Sequence, residues 1–421
     1  MHAELLYQRG QPPRAKYIFK HALIQDAAYA SLLKSTRQQV HQQIAQALET
    51  QFSALVETQP ELVAQHYTAA GCHAQAVVYW QRAGQHASER SAPLEAMAHL
   101  TKGLEVLATL PATPERLHHE LELHLLLGPA VMITKGWAAP EVARVYTRAR
   151  ALCQQVGETP QLFPVLWGLW LFYMGRGELQ TARELGEQLL ALAERVDEPL
   201  LRVQACHALG PTLFWLGELE AAQARLAEGL ACYTPQQHSA SLRYGGHDPG
   251  SCCGSYGAWT LWARGYPDQA LLQAQESLRL AQELAHPYTL IWAHQLTAWL
   301  HQLRREAQAT HLQVEAALPL VREHGFVQLV AQEQILRGWA LAARGQGEAG
   351  IRQMREGLAT WETLGVELYR AYQLMQLAEV YGTEGQAEAG LACWTKLGQP
   401  SPTGRGAFSR QTARGSKEHY S

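Results

Sequence analysis

Apolar residues in the second half of the chain recur at i, i+3, i+4 and i+7 on two arms flanking a short polar break, and the arrangement repeats. WLFYMGRGELQTARELGEQLLALA returns in register as FWLGELEAAQARLAEGL, LWARGYPDQALLQAQESL, HQLRREAQATHLQVEAAL, LAARGQGEAGIRQMREGL and VYGTEGQAEAGLACW. The break falls on Gly177, Gly217, Gly265, Arg305, Gly345 and Gly385, at steps of 40, 48, 40, 40 and 40 residues. Five residues after each comes a small or short side chain (Ala182, Ala222, Ala270, Thr310, Gly350, Gly390), which lets a second helix approach the first closely. Each copy therefore predicts helix, turn, helix. Neither arm can bury its apolar stripe alone, so the copies must stack.

One step is eight residues too long. The excess falls on the Gly, Pro, Ser and His-rich stretch TPQQHSASLRYGGHDPGSCCGS, which predicts a long inter-repeat loop near 234–255. Upstream, ELVAQHYTAAGCHAQAVVYWQRAGQHASER predicts a seventh hairpin turning at Gly71. A helix from Thr113 to Leu127, closed by Gly128-Pro129, and a further helix pair before Gly157 fill the gap. Past Leu391 the period stops and Gly, Pro, Ser and Arg take over. The tail from Gly398 is expected to be disordered, and it reads as an out-of-frame gene end.

The spacing of Ala64, Tyr67, Gly71, Ala76, Trp80 and Ala83 resembles the tetratricopeptide repeat in a variant of about 40 residues. This implies an all-α fold, a right-handed superhelical α-solenoid of antiparallel helix hairpins over residues 59–397. Residues 1–58 differ. Phe19, His21, Leu23, Gln25, Tyr29, Arg37, His41, Ile44, Ala45 and Leu48 resemble the segment that follows the ATPase in bacterial signal-transduction NTPases with MalT-like repeats, many of which carry an adenylate or guanylate cyclase domain. The resemblance implies a parent protein with a nucleotide switch and a C-terminal repeat sensor, of which this chain holds the sensor. No G-x-x-x-x-G-K-[ST] loop occurs, so the family's ATP site maps onto no residue here.

Composition narrows the reading further. With 47% hydrophobic and 17% charged residues and a formal net charge of -3, nothing calls for nucleic acid or an anionic membrane as partner. The seven cysteines are odd in number and lack a C-x-x-C pair, which fits reduced thiols in a cytoplasmic protein. The start has no signal-peptide pattern, and the apolar run from Leu162 to Met174 is shorter than a membrane span.

Gly345-Gln-Gly347-Glu-Ala-Gly350 matches a dinucleotide fingerprint, but its glycines occupy repeat positions that Gly385 and Gly390 also occupy, so a hairpin turn is expected. The face carrying His118, Glu120, Glu122 and His124 has metal-like spacing without a distant further ligand and reads as a solvated helix face. His238, His247, Asp248, Cys252 and Cys253 lack a standard spacing, and the two cysteines read as the start of a buried helix. No metal site, cofactor or catalytic residue is expected, and a hydrolase or transferase site in the Thr234–Ser255 stretch would need a deep pocket. The feature with functional promise is a series of tryptophans. Trp259, Trp299 and Trp339 recur every 40 residues, with Trp167 and Trp262 on similar arms. They either pack between repeats or line a groove for a protein, a peptide or a small effector. The expectation is a non-catalytic interaction and sensor scaffold. The alternative is the repeat region of an ATP-dependent transcription regulator whose DNA-binding domain lies outside this chain.

Overall fold

The computed structural model describes residues 6–11, 16–19, 21–157, 160–324 and 326–397. The tail from Gly398 lies outside the described residues. The chain divides into two compact units, Met1–Leu123 and His124–Ser421.

The first unit opens on a two-stranded antiparallel hairpin, β1 (Leu6–Arg9) and β2 (Lys16–Phe19), with Leu6 opposite Phe19. Helices α1 (Ala22–Ser31), α2 (Lys34–Gln51) and α3 (Ser53–Thr58) follow. The expected hairpin is α4 (Pro60–Ala70) and α5 (His73–Glu89), with Gly71 left-handed at φ +78° between them. Val63, Ala64 and Tyr67 pack with Ala76, Trp80 and Ala83 in its core. Helix α6 (Pro93–Leu107) leads into α7 (Pro114–Lys135), which runs on into the second unit.

Here the expected stop at Gly128-Pro129 is corrected: α7 continues through Pro129 to Lys135, and one helix, α8 (Pro140–Val156), takes the place of the expected pair. Gly128 serves packing instead of termination. A Cβ there would come within 2.3 Å of the buried Tyr146 ring, so the glycine lets that ring lie against the α7 backbone. Pro129 forgoes one backbone hydrogen bond without ending the helix.

Six hairpins follow in the second unit, as the repeat predicts. They are α9 (Leu162–Gly175) with α10 (Leu179–Val196), α11 (Pro199–Leu216) with α12 (Leu219–Cys232), and α14 (Pro249–Ala263) with α15 (Pro267–Leu284). Then come α16 (Pro287–Leu303) with α17 (Ala307–His324), α18 (Val327–Ala342) with α19 (Gly347–Leu364), and α20 (Arg370–Thr383) with α21 (Ala387–Leu397). The long loop expected near 234–255 is the second correction. It is a 3-10 turn (Pro235–Gln237), a short helix α13 (His238–Gly245) and the start of α14, where Cys252 and Cys253 are buried as expected. Local chemistry explains it. Thr234 and Gln237 form a reciprocal cap, and Asp248, followed by Pro249 in the first helical turn, accepts the Ser251 amide.

Close approach within a hairpin depends on the predicted small residues. A Cβ on Gly350 would meet the Gly338 carbonyl at 2.5 Å, and one on Gly338 would meet the Gly350 carbonyl at 2.6 Å, so α18 and α19 touch backbone to backbone. The dinucleotide-like run is thus a hairpin turn, as expected. Among the described residues, no helix is long and apolar enough to cross a membrane.

Every turn residue read from the repeat has positive φ, Arg305 at 63° included. A left-handed non-glycine residue costs about 1–2 kcal/mol, and nothing lies within 4 Å of a Cβ built on Gly345, so that site isolates the backbone effect. Gly345→Ala is expected to lower stability by about 1 kcal/mol. Arg305→Gly is expected to raise it by a similar amount, measured in a Glu379→Gln background so that the exposed Arg305–Glu379 ion pair does not contribute. Urea midpoints read both, and unchanged midpoints would mean the turns carry no conformational cost.

Candidate functional site

The two helices of a hairpin differ in how much of their surface is covered. Second helices bury one stripe at helical spacing, as α17 does with Thr310, Val314, Ala317 and Val321. First helices are buried almost all round: every residue from Pro249 to Thr260 on α14 and from Ile291 to Leu300 on α16. Their partners in the hairpins cover one side. The other side is covered by two connecting segments of the same unit.

One is the turn between α7 and α8, which inserts Trp137. Its ring centroid lies 5.3 Å from Trp292, 6.2 Å from Trp361 and 6.4 Å from Tyr369, and its amide donates to Gln328 Oε1 at 3.3 Å. The other is the α19–α20 connection, which inserts Tyr369. That ring lies 4.8 Å from Trp299, 5.3 Å from Trp215 and 5.7 Å from Trp361, and its hydroxyl meets that of Tyr256 at 2.9 Å. The connection is fixed by backbone bonds. The Glu367 and Leu368 amides donate to the Gly175 carbonyl at 2.8 and 3.2 Å, and Arg176 donates to the Gly365 carbonyl at 3.3 Å.

The tryptophans singled out in the sequence distribute unevenly around this filling. Trp259 and Trp299 meet edge to face at 4.8 Å, and the Trp259 indole donates to the Leu296 carbonyl at 2.9 Å. Trp339 is equally buried but makes no ring contact with them. Trp167 packs against Trp170, His207 and Tyr244, while Trp262 is half-buried near the end of α14. Of the five, Trp299 lines a cavity of about 10 Å³ between α16, α18 and α19, together with Trp292, Gln295, Gln332, Trp361 and Tyr369.

The residues around that cavity have a polar peculiarity. Gln295 Oε1, Gln332 Nε2 and the Trp361 indole nitrogen are buried without a hydrogen-bond partner, while the Trp292 indole is turned to the Cys252 thiol. Each such group costs about 1–3 kcal/mol if left unmade, and these atoms lie behind a cavity surface that is itself apolar. The remaining amide atoms are used: Gln295 Nε2 donates to the Leu329 carbonyl at 2.9 Å, and Gln332 Oε1 accepts from Gln373 at 3.1 Å. Beside Gln295 lies Glu333, fully buried and with both carboxyl oxygens outside hydrogen-bonding geometry. Burial pushes its carboxyl well above the ordinary range, against a smaller opposite pull from the Gln295 amide.

A second cavity, about 30 Å³, opens between α9, α11, α14 and the two inserted segments. His207, His247 and Cys252 converge on it, their ligand atoms all within 4.8 Å of one another. The two Nε2 atoms are 3.3 Å apart. Burial holds His207 well below the ordinary histidine range and brings His247 down to about 4, while it pushes the Cys252 thiol up to about 12. The sequence grouped His247 and Cys252 with His238 and Asp248, which prove to have a different task. Asp248 caps α14 and accepts from Tyr233 and His238, both at 2.9 Å. His207 was missed because it lies on another helix, α11, and the step between its hairpin and the next is the irregular one of 48 residues. On the α7 face, Glu122 accepts from Gln81 and His118 meets the Pro114 carbonyl.

The burial of Trp299 sets its mutational effect. Trp299→Ala is expected to cost about 3–5 kcal/mol, read as a lower melting temperature, and a melt identical to wild type would mean the indole is not part of the core. Glu333 sets a pH dependence. Its folded value lies above the unfolded 4.5, so over that window the native state keeps a proton that the unfolded chain releases, and stability falls as pH rises. Glu333→Gln removes this loss. Its stability gain over wild type is expected to grow as pH rises above about 4.5, and a pH-independent difference in urea midpoints would contradict it.

No family model matches the chain. An uncharacterised protein of Rhizobium meliloti (strain 1021) is 25% identical over 382 residues, covering 90% of this chain, and the chain spans 37% of that protein's length. Among solved structures, a Rap protein complexed with competence and sporulation factor aligns with a TM-score of 0.54 at 10% identity, over 76% of this chain and 96% of that one. The Rap conjugation gene regulator of the plasmid pLS20, in complex with the Phr* peptide, aligns with a TM-score of 0.51 at 12% identity, over 76% and 95%. At such identities the likeness is one of fold, and the chain is a tetratricopeptide-like α-solenoid of helix hairpins.

Proposed function

We propose that the second unit is a receptor for an extended peptide segment, and that the wall formed by Gln295, Gln332, Trp292 and Trp361 is where the peptide backbone binds. The observation that carries this reading is the set of unpartnered donors and the Gln295 acceptor on residues around the cavity, buried behind its apolar surface and reached only when the site opens. An extended peptide presents N–H and C=O groups alternately and can satisfy both kinds, as neither an apolar ligand nor a simple anion can. Trp299, exposed to the same cavity, supplies an aromatic wall for a side chain, with Trp259 behind it. The Phr* peptide bound to the Rap conjugation gene regulator is consistent with such use of this architecture. The site as folded is narrow, so binding requires Trp137 and Tyr369 to yield, and the peptide acts by shifting the balance between filled and open states.

On this reading the chain is the non-catalytic sensor part of a larger signalling protein, with residues 1–58 adjoining an NTPase module. Two observations support the larger context. The chain spans 37% of its Rhizobium relative, and the first unit leaves Tyr7, Leu23, Leu33 and Phe52 exposed, an apolar surface suited to a neighbouring module. Whether the output is a nucleotide cyclase or transcription regulation does not alter the proposed peptide site.

Gln295→Leu and Trp361→Phe each remove an unpartnered polar atom, the first at the loss of the bond to the Leu329 carbonyl and the second at the loss of part of a buried ring, so both are expected to fold with lowered melting temperatures. Affinity for peptides selected on a random peptide array should fall at least tenfold in both variants. Binding unchanged in both variants would place the peptide elsewhere or remove the proposal.

A further inference from the structure

The His207, His247 and Cys252 cluster touches the peptide wall at Trp292 and has a geometry of its own. His247 Nδ1 faces the Gly245 carbonyl at 3.2 Å, and that carbonyl can only accept, so the ring proton is on Nδ1 and the Nε2 lone pair points inward. His207 Nδ1 faces Gln204 Oε1 and the Gln204 amide nitrogen faces the Ser241 carbonyl, both at 3.5 Å, which favours this amide orientation. The His207 proton is therefore also on its outer nitrogen. Two lone pairs are left facing each other across 3.3 Å inside the unit, with the Cys252 thiol beside them.

An ion between the two nitrogens resolves this contact. Two imidazole nitrogens each about 2.0–2.1 Å from one tetrahedral ion stand about 3.3–3.4 Å apart, the separation seen here. The outer hydrogen bonds are of the kind that orient histidine ligands toward a metal. The rings are also braced, His207 by Trp167 and Trp170, and His247 by Trp292. Gly245 contributes to this bracing. A Cβ there would come within 2.3 Å of Trp167, so the residue that carries the orienting carbonyl can lie flat against the indole. The sulfur must close to about 3.6 Å from each nitrogen, a displacement on the order of 1 Å that the adjoining cavity accommodates.

We propose that His207 Nε2, His247 Nε2 and Cys252 Sγ bind one borderline transition-metal ion, Zn2+, with the fourth position open to the cavity. Three nitrogen and sulfur ligands with one open position are characteristic of reactive or exchangeable zinc sites, whereas structural sites are closed by four. The site joins α11, α14 and the α13–α14 connection, so occupancy ties two successive hairpins together. The thiol gives up its proton to solvent as the metal–sulfur bond forms, and no oxidation or reduction is involved.

The probe is Co2+, which takes the same geometry and reports it optically. The full chain, expressed in cobalt-supplemented medium so that the ion meets the chain as it folds, is expected to carry one Co2+ per chain. It should show a thiolate-to-cobalt charge-transfer band and tetrahedral d–d bands, both lost on stoichiometric addition of Zn2+. Cys252→Ser should abolish the charge-transfer band, His207→Gln should weaken Co2+ binding at least tenfold, and Cys253→Ser should leave the spectrum intact. The wild-type spectrum decides the matter even if a variant fails to fold. Absence of cobalt, or cobalt bound without a thiolate band, would show that the cluster is a metal-free polar pair, and a thiolate band surviving Cys252→Ser would assign it to another cysteine. Either result overturns the site.

Discussion

A helix that is buried around its whole circumference leaves neither face to water, and in the second unit several such helices stand side by side. Their sequences require cover on the side away from the hairpin partner as well as toward it. Trp137 and Tyr369 provide that cover from two connections far apart in sequence. Burying an aromatic ring of this size removes on the order of 200 Å² from water, about 5 kcal/mol before ordering costs. The rest follows from this demand. The α19–α20 connection is held against Gly175, the first hairpin is bonded to the segment before the last, and the inner helices become rigid supports for the polar groups they carry.

Those polar groups explain why the inner face is more than a second core. An apolar filling would be more stable without Gln295, Gln332, Glu333, His207 and His247, all buried and several without partners. Polar atoms kept at such a cost are concentrated where two cavities lie between the inserted rings and the helices. The amide wall is suited to a peptide backbone and the imidazole–thiol cluster to a metal ion. Trp292 and Tyr369 line both cavities.

The hairpins were legible because they are written in local chemistry. A left-handed residue and a small residue five positions later recur at a fixed step, and each acts within its own hairpin. The stretch near 234–255 was misread as a loop because Gly and Ser content outweighed two capping signals, the Thr234–Gln237 box and Asp248 before Pro249. Gly128-Pro129 was misread as a stop because the Tyr146 ring that requires the glycine is contributed from the next helix. The inner face was partly legible. The tryptophan series pointed to Trp299, yet Trp137, Trp292, Trp361 and Tyr369 belong to no periodic series and come together only through stacking. His207 carried no usable signal, since it lies within α11 while His247 precedes α14 in the eight-residue excess that breaks the 40-residue step.

The central claim is that the inner face is filled by the chain itself, and hydrogen–deuterium exchange at the Glu367 and Leu368 amides tests it most directly. Both donate to Gly175 and belong to a connection that would exchange freely if it merely linked two hairpins. If the filling holds, these amides are protected to the same degree as those of α11 and α14, and they lose protection together with the Trp137 amide when the segment is displaced. Exchange at the rate of an open loop would show that the connection does not seal the inner face.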